Sequence, residues 1–283
     1  MQDHALSQPP LGAPGPRHWP ALRGLQPAWY YASLLFLAMT LVFWSAQWLD
    51  ARTLLGVSVW TKPFKFSLSL FAYFATLLLM AQLVPATFWR TLSGRSLVSI
   101  TLVMALGEMA YIIWQAAQGE ASHFNHSTSF HSMMYSLMGF GAVMLVSVLV
   151  WFALVIARAA RWQLLSQPMT LAVTVGLALT FLLGGGFGGY LGGNGSHFVG
   201  PGTTDADGLW LVKWARDVGD LRVAHFFGMH AMQVIPLFAL MLPSRWPTHV
   251  QASLIIAAAT AYAALTTATF VQALHGQPFL GGL

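Results

Sequence analysis

Apolar residues in this chain gather in long unbroken stretches, separated by short polar breaks, with little of the strict alternation that marks a half-buried strand. A hydrocarbon core about 30 Å thick takes roughly 20 apolar residues of helix to cross. Seven segments reach that length: 28–49, 64–84, 97–117, 133–157, 169–190, 221–242 and 250–273. The pattern predicts an all-α integral membrane protein, a bundle of seven transmembrane helices occupying residues 28–273. Residues 1–27, with the run QPPLGAPGPRHWP, carry no apolar core and are expected to form a flexible Pro-rich tail, not a cleavable signal peptide. Residues 274–283 are expected to form a second, short tail. Three connections are long, 50–63, 118–132 and 191–220, and loops of that size are often functional.

Basic residues in short loops set the expected orientation. Arg17, Arg23, Arg90, Arg95, Arg158, Arg161 and Arg245 fall on the N-terminal side, whereas Arg52, Lys62, Lys65, Lys213, Arg216 and Arg222 fall on the other. The two groups are nearly equal in number. The first sits in short plain loops, while the second lies at helix ends or in the longest loop. The N-terminus is therefore expected in the cytoplasm, with the C-terminus and all three long loops in the periplasm.

Composition agrees with the pattern. Over 283 residues, 57% are hydrophobic and 7% charged, with a mean hydropathy of +0.63. A soluble domain carries roughly 25% charged residues, so lipid must be the main solvent here. A net charge of +5 comes from scattered residues, which excludes a nucleic-acid-binding patch. With no cysteine, disulfides, thiolate metal sites and cysteine nucleophiles are also excluded.

Most of the unusual polar residues belong to the long-loop side. Glu108, Tyr111, Gln115 and Gln118 form one stripe on the third predicted helix, spaced by three and four residues. Glu108 falls near the membrane midplane, where an ionised carboxylate demands a partner or a wet cavity. The sixth helix opens with GDLRVAHFFGMHAMQ, placing Arg222, His225, Met229, His230 and Gln233 on one broad face. His230 comes to a depth similar to that of Glu108, so contact between the third and sixth helices would create a buried His–carboxylate pair. His123, His126 and His131 crowd the loop QGEASHFNHSTSFHS, a spacing that is not a specific zinc signature. A role for His123 above the membrane site is expected, and His126 is expected to be silent.

The fifth segment ends in GGGFGGYLGGNGSHFVGPG. Gly184, Gly188 and Gly192 form a ridge of small residues with Gly185 and Gly189 beside it, the pattern that lets membrane helices approach closely. Beyond Tyr190 the glycine density predicts unwinding, which would bring His197 over the same vestibule. No GK[ST] follows, so a phosphate-binding P-loop is excluded. Lys62 and Lys65 in VWTKPFKFSLS read as interfacial anchors or as charge partners for an anion or for Glu120 or Asp220.

The segments WTKPFKF, QGEASHFN, GSHFVG and GDLRVAHFFGMHAMQ together resemble a functionally unassigned group of multi-pass bacterial inner-membrane proteins. The likeness spans roughly residues 60–233. It implies a bacterial inner membrane and carries no activity with it. A retinal protein is disfavoured, because the last predicted helix contains no lysine for a Schiff base.

Three functions are consistent with these residues. The first is a metal or redox centre in the outer half of the bilayer, with His225, His230 and Glu108 as ligands or their orienters, closed by His123 or His197. Haem b, copper, iron or zinc would suit imidazole ligands, and Met229 would add a soft ligand for copper. The second is a proton-coupled transporter of a small solute, using Glu108 and His230 as the proton-linked pair and Lys62 or Arg222 to attract an anion. The third is an accessory subunit whose polar face docks a partner membrane protein. Catalysis is neither required nor excluded by any of the three.

Overall fold

The computed structural model describes residues 26–159, 167–202 and 204–280. Most of the Pro-rich tail, with Arg17 and Arg23, lies outside the described residues, as do Arg161 and residues 281–283. Seven helices are long and apolar enough to cross a membrane: α1 (Pro27–Leu49), α2 (Thr61–Leu83), α3 (Leu92–Gln118), α4 (Ser129–Ala159), α5 (Gln167–Gly193), α6 (Leu221–Met241) and α7 (Thr248–Leu274). The chain is a multi-pass all-α membrane protein whose helices contact the lipid bilayer. Leu41, Val42, Leu237 and Leu240 stand mostly exposed on the bundle surface, as a lipid-facing residue should.

Helix ends follow local chemistry. Gln26 caps α1 by accepting from the Ala28 amide, with Pro27 in the first helical turn. Thr91 caps α3 through the Gly94 amide, and Gly119, at φ +76°, ends that helix in the left-handed conformation that only glycine adopts freely. Most helices start or end within a few residues of the sequence expectation, and the differences arise where polar residues continue a helix past its apolar stretch. Thus α2 begins at Thr61, taking Lys62 and Lys65 into its first two turns, and α4 begins at Ser129.

Neighbours in the chain pack side by side: α1 on α2, α2 on α3, α3 on α4, α4 on α5, α5 on α6 and α6 on α7, with α7 also touching α5. One end of the bundle carries short connections, including a 3₁₀ turn at Ala86–Arg90. The other carries the long ones. There, β1 (Thr53–Leu54) and β2 (Val57–Ser58) form a tiny hairpin whose two turn residues, Leu55 and Gly56, both have positive φ. The ribbon of β3 (Phe198–Val199) and β4 (Gly219–Asp220) closes the longest loop.

The half of the bundle nearest the short connections is a dry aromatic core. Trp29 is fully buried, with its ring centroid 5.1 Å from Trp89 and 5.5 Å from Phe152, and its indole N–H donates to Thr101 Oγ1 at 3.0 Å. Phe36 stacks on Phe74 at 5.5 Å just beyond.

The glycine-rich fifth segment does not unwind past Tyr190. It stays helical to Gly193 and is interrupted earlier, by a π-helical stretch at Thr180–Gly185. The cause is close packing on α6. A Cβ on Gly228 would stand 2.5 Å from the Gly184 nitrogen, and one on Gly188 would stand 2.6 Å from His225 Nδ1. That proximity lets His225 Nδ1 donate to the Gly184 carbonyl at 2.9 Å. Thr180 Oγ1 in turn accepts from the Met232 amide at 2.9 Å. Of the predicted ridge, Gly184 and Gly188 face α6, Gly185 meets Val146, Gly192 faces Tyr135, and Gly189 has open space around it.

Candidate functional site

The half nearest the long loops is built differently. On α3, Glu108, Tyr111 and Gln115 are buried, and each has a side-chain oxygen with no hydrogen-bond partner. Gln233 on α6 carries a fourth such oxygen. At 1.5 Å per residue, Gln115 sits about 5 Å below the Gln118 end of α3 and Glu108 about 15 Å below it. Gln233 sits about 18 Å below the start of α6, at a depth comparable to that of Glu108. Glu108 Oε1 is covered by Gly141 of α4, where a Cβ would come within 3.1 Å. Gln233 is held from behind, its Nε2 donating to Thr76 Oγ1 of α2 at 3.0 Å.

Lys62 stands above these residues at the top of α2. Among the described residues it makes no hydrogen bond and no ion pair, and its ammonium lies 5.8 Å from the Phe66 ring centroid. Neither of its expected carboxylates reaches it. Glu120 pairs with His131 at 3.4 Å, and Asp220 pairs with Arg222 at 2.6 Å. Lys62 is the charged side chain whose field acts on Glu108. Lys65 is already engaged, donating to the Val212 carbonyl at 3.2 Å.

The longest loop forms a strap over this end of the bundle, tied to the hairpin and to the start of α6. Arg222 is its anchor, donating to Asp220, to Asp205 Oδ1 at 2.8 Å and to the Lys213 carbonyl at 2.6 Å. His197 Nε2 lies 3.2 Å from the same Asp205 oxygen. Burial pushes the Asp205 carboxyl up, but the hydrogen bond with His197 and the Arg222 charge outweigh it and hold the group down at about 2. The Asp205 amide also donates to the Leu55 carbonyl, tying the strap to the hairpin at 2.9 Å. Beside the strap, His123 packs its ring 5.6 Å from Phe66 and 5.9 Å from Tyr135. Burial and the nearby Lys62 charge keep its imidazole well below the usual histidine range, against the opposing pull of its Ser122 contact.

The expected residues are thus partly brought together. Glu108, Tyr111 and Gln115 are buried on α3, Gln233 lies at a depth like that of Glu108 on α6, and Lys62 acts on Glu108 from the top of α2. Gln118 does not join them, being exposed at the end of α3. Glu108 and His230 form no ion pair among the described residues; α3 packs on α2 and α4, whereas α6 packs on α5 and α7, so the two helices lack the shared face the pair requires. His230 packs a tilted ring against Phe226, centroids 4.2 Å apart, and His225 is committed to Gly184. Met229 lays its sulfur against Gly184. His197 belongs to the strap and His126 is exposed. Among the described residues, no group of three or more His, Asp or Glu side chains is placed to hold a metal ion.

Sequence reasoning missed Thr76, Gly141 and Asp205. Thr76 and Gly141 look like ordinary membrane-helix residues. Asp205 lies 17 residues from Arg222 in a loop with no periodicity to reveal the pairing. Comparisons with family models, with curated proteins and with solved structures find no match for the chain.

Proposed function

We propose that this protein is a proton-linked permease for a small polar solute. We further propose that it sits in a bacterial inner membrane, with the long-loop end in the periplasm and the N-terminus in the cytoplasm. One observation carries the functional reading: Glu108, Gln115 and Gln233 each bury an unpartnered oxygen in the same half of the bundle. Each such group costs about 1–3 kcal/mol when nothing hydrogen-bonds to it, which a merely structural core has no reason to bear. A hydrated track that receives a solute gives all three a purpose. Glu108, an intramembrane carboxyl below the mouth, is the group to carry the proton.

Two broken helices flank the track, as moving parts should. α5 has its π-helical stretch, and α6 contains Pro236, which removes the hydrogen bond to the Met232 carbonyl. Arg90, Arg95, Arg158 and Arg245 at the short-connection end support the orientation. The resemblance of the WTKPFKF and GDLRVAHFFGMHAMQ segments supports the bacterial inner membrane.

Because the native chain has no cysteine, a single Gln233→Cys variant provides a clean test in proteoliposomes. A membrane-impermeant maleimide is expected to label it from either side, in proportions that an imposed pH gradient shifts. That shift should disappear when Glu108→Gln is added. Labelling from the long-loop side alone would mean a fixed pocket, as a receptor or accessory subunit would carry, and would overturn the permease reading.

A further inference from the structure

Lys62 and Glu108 are opposite charges in one interior, and they do not meet. Left free, a buried ammonium and a buried carboxylate gain most by closing into a hydrogen-bonded pair, because each is costly to desolvate alone. Here their helices hold them apart. Lys62 enters at the mouth of the track, while Glu108 lies about 15 Å below the end of α3. Two other cations at this end are already satisfied: Arg222 by Asp205 and Asp220, and Lys65 by the Val212 carbonyl. Among the described residues, Lys62 is thus a cation without an ion pair above, and Glu108 a carboxyl with an unpartnered oxygen below.

The hydrogen-bonding inventory has the same polarity. Glu108 Oε1, Gln115 Oε1 and Gln233 Oε1 are all acceptor oxygens in search of donors, and they are buried. Glu108 on α3, with Gln233 at comparable depth on α6, makes the lower end of this interior an acceptor-rich floor. Gln115 is the acceptor that a donor meets on the way in. An ammonium group, with three N–H donors and one positive charge, satisfies such a floor, and a carboxylate satisfies Lys62.

We infer that the solute is a small zwitterion of the amino-acid class, held with its carboxylate toward Lys62 and its ammonium toward Glu108. This rests on the permease reading and names its substrate class. A simple organic anion leaves the acceptor floor unpaired, a simple amine leaves Lys62 unpaired, and a sugar leaves both charges uncompensated. Sites built to pair a specific polar group reject analogues that lack it far more strongly than apolar pockets reject a missing methylene.

The test uses the purified full chain in detergent, with thermal stabilisation as the readout of binding. The common L-amino acids are titrated one at a time, and at least one is expected to raise the melting temperature saturably. For that amino acid, its 2-hydroxy-acid analogue, which lacks the ammonium, and its amino-alcohol analogue, which lacks the carboxylate, are each expected to bind at least tenfold more weakly. Lys62→Met should weaken the amino acid by a similar factor while leaving the amino alcohol unchanged. The comparison of analogues on the native chain stands even if that variant fails to fold. Equal binding of the amino acid and either analogue overturns the inference, as does stabilisation by no amino acid. If Gln233→Cys is still labelled from both sides in that case, only the substrate class has failed; if the labelling is one-sided, the permease reading has failed with it.

Discussion

The two halves of this bundle are made from the same seven helices and solve opposite problems. Near the short connections, Trp29, Trp89, Phe152, Phe36 and Phe74 interlock with ring centroids 5.1–6.0 Å apart. The polar atoms there are paired, down to the Trp29 indole and Thr101. Near the long loops, the interior carries, among the described residues, four side-chain oxygens without partners and a lysine without an ion pair. Lipid is as apolar as leucine, so close van der Waals packing and internal hydrogen bonds must hold membrane helices together. The aromatic half supplies that cohesion. The polar half forgoes it, and regains rigidity at its rim through the strap anchored by Arg222, Asp205 and Asp220. Stability and binding are thus divided along the membrane normal.

The largest effect that could break this division is Trp29→Ala. It removes a fully buried ring from two aromatic neighbours and is expected to cost about 3–5 kcal/mol, seen as a large fall in melting temperature. Gln115→Leu, equally buried, should do the reverse. Its one hydrogen bond, to the Ala121 carbonyl at 3.1 Å, is replaceable because Asn125 Nδ2 donates to the same oxygen at 3.0 Å. Removing its unpaired oxygen should leave stability unchanged or raise it by up to about 1 kcal/mol, while solute binding is lost. Comparable destabilisation by both substitutions would show that the polar half is ordinary core.

The strap supplies the next effect, through pH. Asp205 titrates at about 2 in the folded chain against an ordinary 3.8. A carboxyl depressed on folding stabilises the folded state above its unfolded value and ceases to do so as the pH falls through its folded value. The shift amounts to about 2 kcal/mol at neutral pH, lost between about pH 4 and pH 2. Melting temperatures followed across that range should show the loss in the native chain and a flatter profile in Asp205→Asn.

The division into halves was only half legible in the sequence. Seven spans follow from apolar length alone, because crossing a membrane is a one-dimensional requirement that each segment meets by itself. The stripe of Glu108, Tyr111 and Gln115 was legible for a related reason, since helical periodicity places them on one face before any partner is known. What faces that stripe was not legible. The expected partner was His230, matched by depth, but depth fixes height and leaves the neighbour around the bundle axis undetermined. Packing puts α2 and α4 beside α3, so Gly141 covers Glu108 and Lys62 is the charge that acts on it from above. The glycine run misled in a similar way. Its density predicted unwinding, yet close contact with Gly228 and His225 keeps the segment helical and moves the irregularity to Thr180–Gly185.

The smallest expected effect sharpens the boundary between mouth and solvent. His123 and His126 lie three residues apart in one loop, and both touch the Tyr135 ring, at 5.9 Å and 5.4 Å. Their surroundings differ. His126 is exposed and bonded only to Ser132 Oγ at 3.2 Å, so His126→Ala should change stability by less than about 0.5 kcal/mol. His123 is wedged against Phe66 and held neutral by burial and by Lys62. An imidazole whose proton affinity falls on folding binds protons more readily in the unfolded chain, so the folded state loses stability as the pH drops below the usual histidine range. That acid-side slope, read from melting temperatures between pH 7 and pH 5, should persist in His126→Ala and shrink in His123→Ala. The same slope in both variants would place His123 in solvent with its neighbour, and the polar track would then begin below the loop rather than at it.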